Sequence, residues 1–321
     1  MNFQRRKLAI AASLLALSPL AMAQAFPDKP IKIIYTYAPG GTGDIIARTL
    51  ADSMGKLLGQ SVVVDNRTGG SGAVGTLAVA RAPADGYTLL LTTITTVVQV
   101  PLVTKDPGFD PVKSLTPVAN IAMAPLVLLA HKDVPADDYQ GFVAWAKQQP
   151  KGVDVAVAGP TLEVATALLN KEAKLNLVNV TYRGSGPALQ AVLAGDVKVM
   201  FQPPSVQMNE FIKQGKLKVL GVTSAQPSAA VPGGVPISKF VPNYVQDINF
   251  ALWAPAGTPA NVVGKLGDAV RKALSETGMQ DKFVGFGVPL AVAGAAEVTR
   301  ITQREASNIK TIMETTNVKF E

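Results

Sequence analysis

Apolar and polar positions along this chain form short apolar runs followed by stretches of helical periodicity, the pattern of repeated β–α units. Apolar runs at residues 31–37, 61–65 and 87–91 predict three buried strands, and helices are predicted after the first two, the second over residues 74–81. The apolar side of the first helix is predicted to contain Ile46, Leu50, Leu57 and Leu58. Three successive units predict parallel strands with ligand loops at their carboxyl ends.

A second group of elements follows the apolar run at residues 121–130. Its strands are predicted at residues 152–158, 177–182, 197–201 and 217–223, and the run at residues 248–254 is predicted to return to the first group. Two closing helices are predicted at residues 260–274 and 296–315. Two crossings between two α/β lobes predict a ligand cleft between them, hinged near residues 121–125 and 249–254. The predicted limits are residues 26–123 plus 250–321 for lobe 1 and residues 124–249 for lobe 2.

The N-terminus has the features of a secretory signal peptide over residues 1–23. Arg5, Arg6 and Lys7 precede an apolar segment at residues 8–20, which is too short and wrongly flanked for a membrane anchor. Small residues then allow cleavage after residue 23 or residue 25. An amphipathic N-terminal helix is the alternative interpretation. A cleaved signal peptide predicts release into the periplasm, without a lipid anchor because the chain contains no cysteine.

Composition excludes several kinds of chemistry. The absence of cysteine rules out disulfides and thiolate sites, and the single histidine, His131, argues against a histidine-ligated centre, so no metal or cofactor is predicted. His131 follows an apolar run, where it is either a surface residue at a strand end or a catalytic group. Three of the 30 basic residues lie in the signal peptide, which leaves 27 against 23 acidic residues. This slight excess, without basic runs, does not indicate nucleic-acid binding and suits an anionic ligand.

Three predicted strand ends supply candidate binding residues. A Pro-Gly-Gly turn at residues 39–41 leads from the first strand into a helix, a geometry that directs backbone N–H groups at an anion. Such a turn also serves α/β folds that bind nothing there, so alone it is a weak signal. The ends of the next two strands, residues 69–72 and 92–96, are also rich in glycine or threonine. Because the carboxyl ends of parallel strands share one edge of a sheet, the three loops together predict a ligand site.

Eight short motifs occur in order along nearly the whole chain after the signal peptide. They are PDKPIK at residues 27–32, APGG at 38–41 with Asp44, VVDNRTGG at 63–70, ADGYTLL at 84–90, FDPV at 109–112, YRG at 182–184, GKLKVL at 215–220 and APAGTP at 254–259. In this order and spacing the chain resembles the periplasmic receptors of tripartite tricarboxylate transporters, the Bug receptors. The resemblance implies a type II periplasmic binding protein fold, a monomer without cofactor, and capture of a small carboxylate for delivery to a membrane permease.

The resemblance also implies a ligand site in lobe 1. The turn after the first strand is expected to bind one carboxylate through backbone N–H groups at Tyr37, Ala38, Gly40, Gly41 and Thr42. Asp44 either belongs to that site or complements the dipole of the helix that follows.

Other positions implied by the resemblance have two interpretations each. The hydroxyls of Thr93, Thr95 and Thr96 either contact a distal ligand group or cap the next element. Arg183 stands where the family has lysine. Its guanidinium either forms a bidentate contact with a carboxylate or makes a salt bridge at the rim of the cleft.

The predicted second lobe departs from the family pattern. Residues 158–163 contain few hydroxyl groups, Glu163 stands near the family's histidine, and Gln202 replaces a common aspartate. Ala158, Thr161 and Gln202 are therefore expected to line a more apolar half-site. This favours an aromatic acid, a longer aliphatic acid or a dicarboxylate over a highly hydroxylated ligand such as citrate. Glu163 is alternatively a solvated helix residue.

Two other functions stay open at this point. A secreted enzyme acting on a small acid would use Asp44, Glu163 and Arg183, and it would need raised carboxylate pKa values. The sequence displays no nucleophile with its base, no metal cluster and no cofactor fingerprint, so enzymatic activity is not predicted. A ligand sensor that feeds a membrane signalling system would have the same pocket as a transport receptor.

Overall fold

The computed structural model describes residues 26–105, 108–228, 230–242 and 244–316. The predicted signal peptide, with either cleavage position, lies outside these residues. Within the described ranges, none of the helices is both long enough and apolar enough to cross a membrane.

Strands and helices alternate along most of the described chain. The strands are β1 (Ile31–Tyr35), β2 (Val62–Asn66), β3 (Thr88–Thr93), β4 (Leu115–Pro125), β5 (Val127–His131), β6 (Val153–Val157), β7 (Leu177–Thr181), β8 (Val199–Gln202), β9 (Leu217–Val222), β10 (Asp247–Pro255) and β11 (Leu290–Gly294). The helices are α1 (Thr42–Leu58), α2 (Ala73–Ala80), α3 (Ile94–Val103), α4 (Tyr139–Ala146), α5 (Pro160–Ala173), α6 (Ser185–Ala194), α7 (Val206–Lys213), α8 (Ala260–Leu274), α9 (Met279–Gly285) and α10 (Ala295–Thr316).

Six strands form the sheet of the first lobe, in the order β11-β4-β10-β3-β1-β2. β1 pairs in parallel with β2 and β3, as the succession of β–α units predicts. β10 returns from the other lobe and lies antiparallel between β3 and β4. The sheet is therefore mixed, and its parallel part brings the ends of β1, β2 and β3 to one edge.

Five strands form the sheet of the second lobe, in the order β7-β6-β8-β5-β9. β6 is parallel to β7 and β8, whereas β5 is antiparallel to β8 and β9. Both lobes are thus α/β units built on the same plan, with one antiparallel strand carrying the chain in from the neighbouring lobe.

The two crossings between the sheets lie side by side. Leu126 separates β4 of the first sheet from β5 of the second, and residues 223–246 lead back from β9 to β10. Thr223, the first residue of the second crossing, is fully buried. Its Oγ1 accepts a hydrogen bond from Leu126 N at 2.7 Å and donates one to the Gln246 carbonyl. One hydroxyl therefore joins the two connections. The lobe limits derived from the sequence remain a prediction.

The structure differs from the sequence predictions in local detail. The apolar run at residues 121–130 forms two strands, because β4 and β5 belong to different sheets even though both are buried. On α1 the buried stripe is Ile46, Leu50 and Met54, whereas Leu57 is 43% exposed, so its predicted core position is wrong.

Candidate functional site

Three helices begin at the cleft between the lobes without a side-chain cap. The N-cap residues are Gly41 for α1, Gly159 for α5 and Gly184 for α6, and none of these three described positions has a capping side-chain hydrogen bond. A helix N-terminus carries partial positive charge and N–H groups without an intrahelical partner. Three such ends around one space make a setting for an anion.

The space between these helix starts is a cavity of about 420 Å³ including its open mouth, here called the cleft cavity. The first lobe lines it with Tyr35, Tyr37, Ala38, Gly41, Thr93, Ile248 and Phe250. The second lobe lines it with Ala158, Gly159, Thr161, Leu162, Ser185 and Pro203. No lysine, arginine or histidine occurs among these described lining residues, so helix ends, backbone N–H groups and hydroxyls are its sources of positive potential.

The lobes are in contact around the cleft cavity. Ala38 N donates to the Arg183 carbonyl at 3.0 Å, and the hydroxyls of Thr93 and Thr161 are 3.2 Å apart. The ring of Tyr37 lies against Gly159, where an added Cβ would meet the Tyr37 hydroxyl oxygen at 2.5 Å. Gly159 has φ of 111°, a conformation that glycine adopts readily. The two lobes therefore touch beside the cavity, and glycine is required at the closest approach.

Most of the predicted site residues line one of three neighbouring spaces, and Asp44 and Thr95 line none of them. Tyr37, Ala38, Gly41, Thr93, Ala158 and Thr161 line the cleft cavity. Gly40, Thr42 and Gln202 line a second space, here called the side cavity, which also contacts Gly41. Arg183 is exposed and lines a third space beside the glycine-rich residues 69–72. Ligand contact by these residues stays a prediction.

Asp44 is engaged by the protein itself. Its carboxylate accepts from Gly40 N at 3.1 Å, from Arg48 Nε at 3.0 Å and from Asn66 Nδ2 at 2.9 Å. Burial acts to raise the pKa of Asp44, but these hydrogen bonds and the charge of Arg48 outweigh it and hold that pKa below its ordinary value. These contacts give Asp44 a structural role at the start of α1. They also occupy the Gly40 N–H, which was predicted to bind the ligand. The lowered pKa also runs against the enzyme hypothesis, which needs a raised one.

Thr95 points away from the cleft cavity toward α10. Its Oγ1 donates to Glu305 Oε2 at 3.3 Å, and both residues are buried. Thr93 has a capping role, since its side chain accepts from Thr96 N at the start of α3. The capping alternative thus holds for Thr93, which also lines the cavity.

Glu163 and His131 are less accessible than the sequence suggested. Glu163 is 3% exposed and accepts from Gln99 Nε2 at 3.0 Å, so the interpretation as a solvated helix residue is wrong. His131 ends β5, as predicted, but it is 7% exposed and is not a surface residue. Burial lowers the pKa of His131, against the opposing effect of Asp133.

Several lining residues escaped the sequence analysis. Tyr35 was taken only as part of a buried strand, although residues two apart on an extended strand face the same side, and its ring meets that of Tyr37 at 5.8 Å. Ile248 and Phe250 enter through β10, whose position beside β3 depends on long-range pairing. Ser185 and Gly159 had a local signal, since each lies at a glycine-containing strand-to-helix turn.

This chain matches a known family of receptors. A family model described as tripartite tricarboxylate transporter family receptor matches residues 46–318. The chain belongs to this receptor family. The family and the type II periplasmic binding protein fold predicted from the sequence motifs are both confirmed.

Similar proteins and solved structures cover most of this receptor. The protein BugT of Bordetella pertussis is 32% identical over 279 residues, which are 84% of this chain and 84% of BugT. The structure of MatC from Rhodopseudomonas palustris with bound malate has a TM-score of 0.83 and 29% identity, covering 89% of this chain and 99% of that one. The structure of R. palustris Rpa4515 with adipate has a TM-score of 0.85 and 27% identity, covering 92% and 99%. The family and these structural neighbours are solute-binding receptors.

Proposed function

We propose that this receptor works in the periplasm, captures a small carboxylate by closing its two lobes, and delivers it to a membrane permease. The observation that carries the proposal is the convergence of three uncapped helix N-termini, those of α1, α5 and α6, on one cavity. Their partial charges favour an anion, and closure removes water that would weaken the attraction.

The walls of the cleft cavity favour a ligand with an apolar body. Tyr35 and Phe250 of the first lobe and Leu162 and Pro203 of the second line this cavity, in which the polar side-chain groups are hydroxyls and none is charged. A carboxylate held at the helix starts would place its carbon skeleton against these side chains. This supports an aromatic acid, a longer aliphatic acid or a dicarboxylate, and it disfavours citrate, whose hydroxyl and three carboxylates need more polar partners. Malate and adipate, bound by two similar proteins, belong to the same broad class.

Contact residues follow from the same geometry. We assign the carboxylate to the N–H groups of Gly41 and Thr42 and to the hydroxyls of Thr161 and Ser185. Gly41, Thr161 and Ser185 line the cleft cavity and Thr42 begins α1 beside it. Ala38 N is bonded to the Arg183 carbonyl in the closed state, so it acts in closure rather than in ligand binding. Arg183 is exposed in the third space beside residues 69–72, from which its charge attracts anions before closure.

Family membership and the predicted signal peptide support the proposed delivery to a permease and the proposed periplasmic location. A tripartite tricarboxylate transporter supplies the membrane partner, and the closed receptor presents to it a surface that the empty one lacks. The receptor is proposed to act as a monomer and to release its ligand chemically unchanged.

The proposal is tested on the secreted full chain by titration calorimetry and small-angle scattering with mono-, di- and tricarboxylates, including aromatic acids. Binding of at least one acid with a decrease in the radius of gyration supports it. Thr161→Val is expected to weaken that binding, whereas Thr166→Val, which alters a buried hydroxyl elsewhere on α5, is the matched control. Saturation without compaction would contradict capture by closure. Recovery of a converted acid would contradict the receptor role.

A further inference from the structure

The side chain of Asn66 joins the two sides of the Pro-Gly-Gly turn that leads from β1 into α1. Asn66 is the last residue of β2, which pairs in parallel with β1. Its Nδ2 donates hydrogen bonds to the Tyr37 carbonyl and to Asp44 Oδ1, both at 2.9 Å. Its Oδ1 accepts from Arg48 Nη2 at 2.8 Å. One amide on a paired strand therefore contacts the segment before the turn, the first turn of α1 and the turn of helix that follows.

These contacts enclose the N–H groups that we assign to the carboxylate. Gly41 and Thr42 lie in the chain between the two groups that accept from Asn66. Asp44, one of those two acceptors, also accepts from Gly40 N at 3.1 Å. At the described start of α1, Gly41 has no capping side-chain hydrogen bond. The direction of the N–H groups therefore depends on bonds that hold the turn from outside, and Asn66 supplies two of them.

An asparagine amide has the combination of donors and acceptor that this position needs. Nδ2 carries two N–H groups, and one donates to a carbonyl while the other donates to a carboxylate. Oδ1 accepts from the positively charged Arg48. A carboxylate at this position would accept without donating, and it would bring a second negative charge against Asp44. Asn66 lines none of the three spaces described at the cleft, so it acts on a ligand through the turn.

We infer that Asn66 is a positioning residue for ligand capture, which holds the turn so that the N–H groups of Gly41 and Thr42 point at the carboxylate. This inference rests on the proposed function, because those two N–H groups are the assigned contacts of the acid. Donors that are already in place bind an anion more tightly than donors that must be ordered when it binds. Loss of the Asn66 amide therefore lowers affinity although Asn66 does not touch the ligand.

The test measures binding of malate, adipate and benzoate to the secreted receptor by titration calorimetry. For each of these acids that binds wild type, Asn66→Ala is expected to lower the affinity roughly tenfold. Asn170→Ala is the matched control, because Asn170 of the second lobe also holds a helix against a strand. It donates to the Leu177 carbonyl at 2.8 Å and accepts from Leu177 N at 2.7 Å. The control is expected to lower the melting temperature and to leave the affinity within about twofold of wild type.

Asn66→Asp adds a pH profile that a purely structural role would not produce. At pH 8 the new carboxylate and that of Asp44 are both charged, so the turn loses a donor and gains a repulsion. As the pH falls, the pair binds one proton, and the protonated oxygen again donates across the contact. The ratio of wild-type to variant affinity, in which protonation of the acid itself cancels, is expected to shrink about fivefold between pH 8 and pH 5.5. Where Asn66→Asp does not fold, Asn66→Ala and its control decide the question.

Unchanged affinity in Asn66→Ala would overturn the inference and leave the proposed function intact. So would an equal loss of affinity in Asn170→Ala, which would assign the effect to stability. An affinity ratio for Asn66→Asp that stays constant with pH would overturn positioning through the turn. Failure of wild type to bind any of the three acids would overturn the inference. Failure of every mono-, di- and tricarboxylate to bind would overturn the proposed function as well.

Discussion

Gln99 Nε2 of α3 donates a hydrogen bond across the cleft to Glu163 Oε2 of α5, at 3.0 Å. Both residues are buried, since Gln99 has no exposed surface and Glu163 is 3% exposed. Ser71 adds a longer contact to the same carboxylate at 3.5 Å. Gln99 and Ser71 belong to elements of the first sheet's lobe and Glu163 to the other lobe, so this group of contacts joins the two lobes. Glu163 therefore connects the two lobes directly.

Removal of the Glu163 carboxylate is expected to weaken the closed state. In Glu163→Ala the amide of Gln99 loses its acceptor while it remains buried, which lowers the free energy of unfolding by about 1–3 kcal/mol. Ligand affinity is expected to fall, because binding must then supply the closure energy that this contact provided. Denaturant titration and calorimetry measure the two effects. Glu172→Ala, at an exposed position on the same helix, is the control. Unchanged affinity in Glu163→Ala would show that closure does not depend on the contact.

A methyl group at Gly159 is expected to hold the lobes apart. Its Cβ would meet the Tyr37 hydroxyl oxygen at 2.5 Å, and φ of 111° is also unfavourable for alanine. Gly215→Ala is the matched control, since Gly215 also has positive φ but has open space around it. Gly215→Ala is expected to lose roughly 1–2 kcal/mol from the backbone alone. Gly159→Ala is expected to lose more, because its φ of 111° and ψ of 170° lie in a region that is essentially restricted to glycine. Only Gly159→Ala is expected to increase the radius of gyration and abolish ligand-induced compaction in scattering. Equal behaviour of the two variants would assign the effect to backbone strain.

Asp44 is expected to stabilise the turn before α1 in a pH-dependent manner. Asp44→Ala removes acceptors for Gly40 N, Arg48 and Asn66, which lowers the free energy of unfolding by about 2–3 kcal/mol near neutral pH. Because the folded pKa of Asp44 lies below its ordinary 3.8, this stabilisation is present above that pH and is lost as the pH falls through the folded pKa. The difference between wild type and variant should therefore shrink in acid. Asp52→Ala, an exposed carboxylate on the same helix, should show little difference at either pH.

Glu305 is expected to have the opposite effect on the pH dependence of stability from that of Asp44. Burial raises the pKa of Glu305 above its ordinary 4.5, and Asp247 adds to the effect, whereas Arg304 and the Thr95 hydroxyl oppose it. A raised folded pKa means that stability is highest below pH 4.5 and declines as the pH rises through the folded pKa. Glu305→Gln keeps an acceptor for Thr95 and removes the charge. It should raise the melting temperature at pH 7 and not at pH 4, whereas Glu314→Gln, exposed on the same helix, should do neither.

The sequence predicted the class of fold and much of the site because the signals were local. Period-two and helical patterns indicate strands and helices, and the glycines at residues 40–41, 159 and 184 stand where helices begin at the cleft. Ile94 to Val103 was missed as a helix because its threonine-rich start looked like a loop, whereas Thr93 caps α3 directly after β3. The order of the motifs identified the family, because that order depends on many residues together and not on any single contact.

Side-chain partners at the cleft could not be predicted in this way. The sequence made Asp44 a candidate ligand residue. In the structure its carboxylate accepts hydrogen bonds from three donors, in the turn, in α1 and in β2. Glu163 looked like a solvated helix residue because nothing near it in the chain accounts for its burial. Its partner Gln99 is 64 residues away and belongs to the other lobe.

By itself the sequence determined most of the strands and helices, the division into β–α units and the glycine turns that open helices toward a shared edge. These depend on backbone preferences and on the spacing of apolar side chains, which act over a few residues. The tertiary structure decided which helix starts face one another, that β10 brings Phe250 to the cleft cavity, and that Gln202 Nε2 has no hydrogen-bond partner among the described residues. Such relationships depend on long-range strand pairing and on closure of two lobes, and a linear pattern does not record the distances that result.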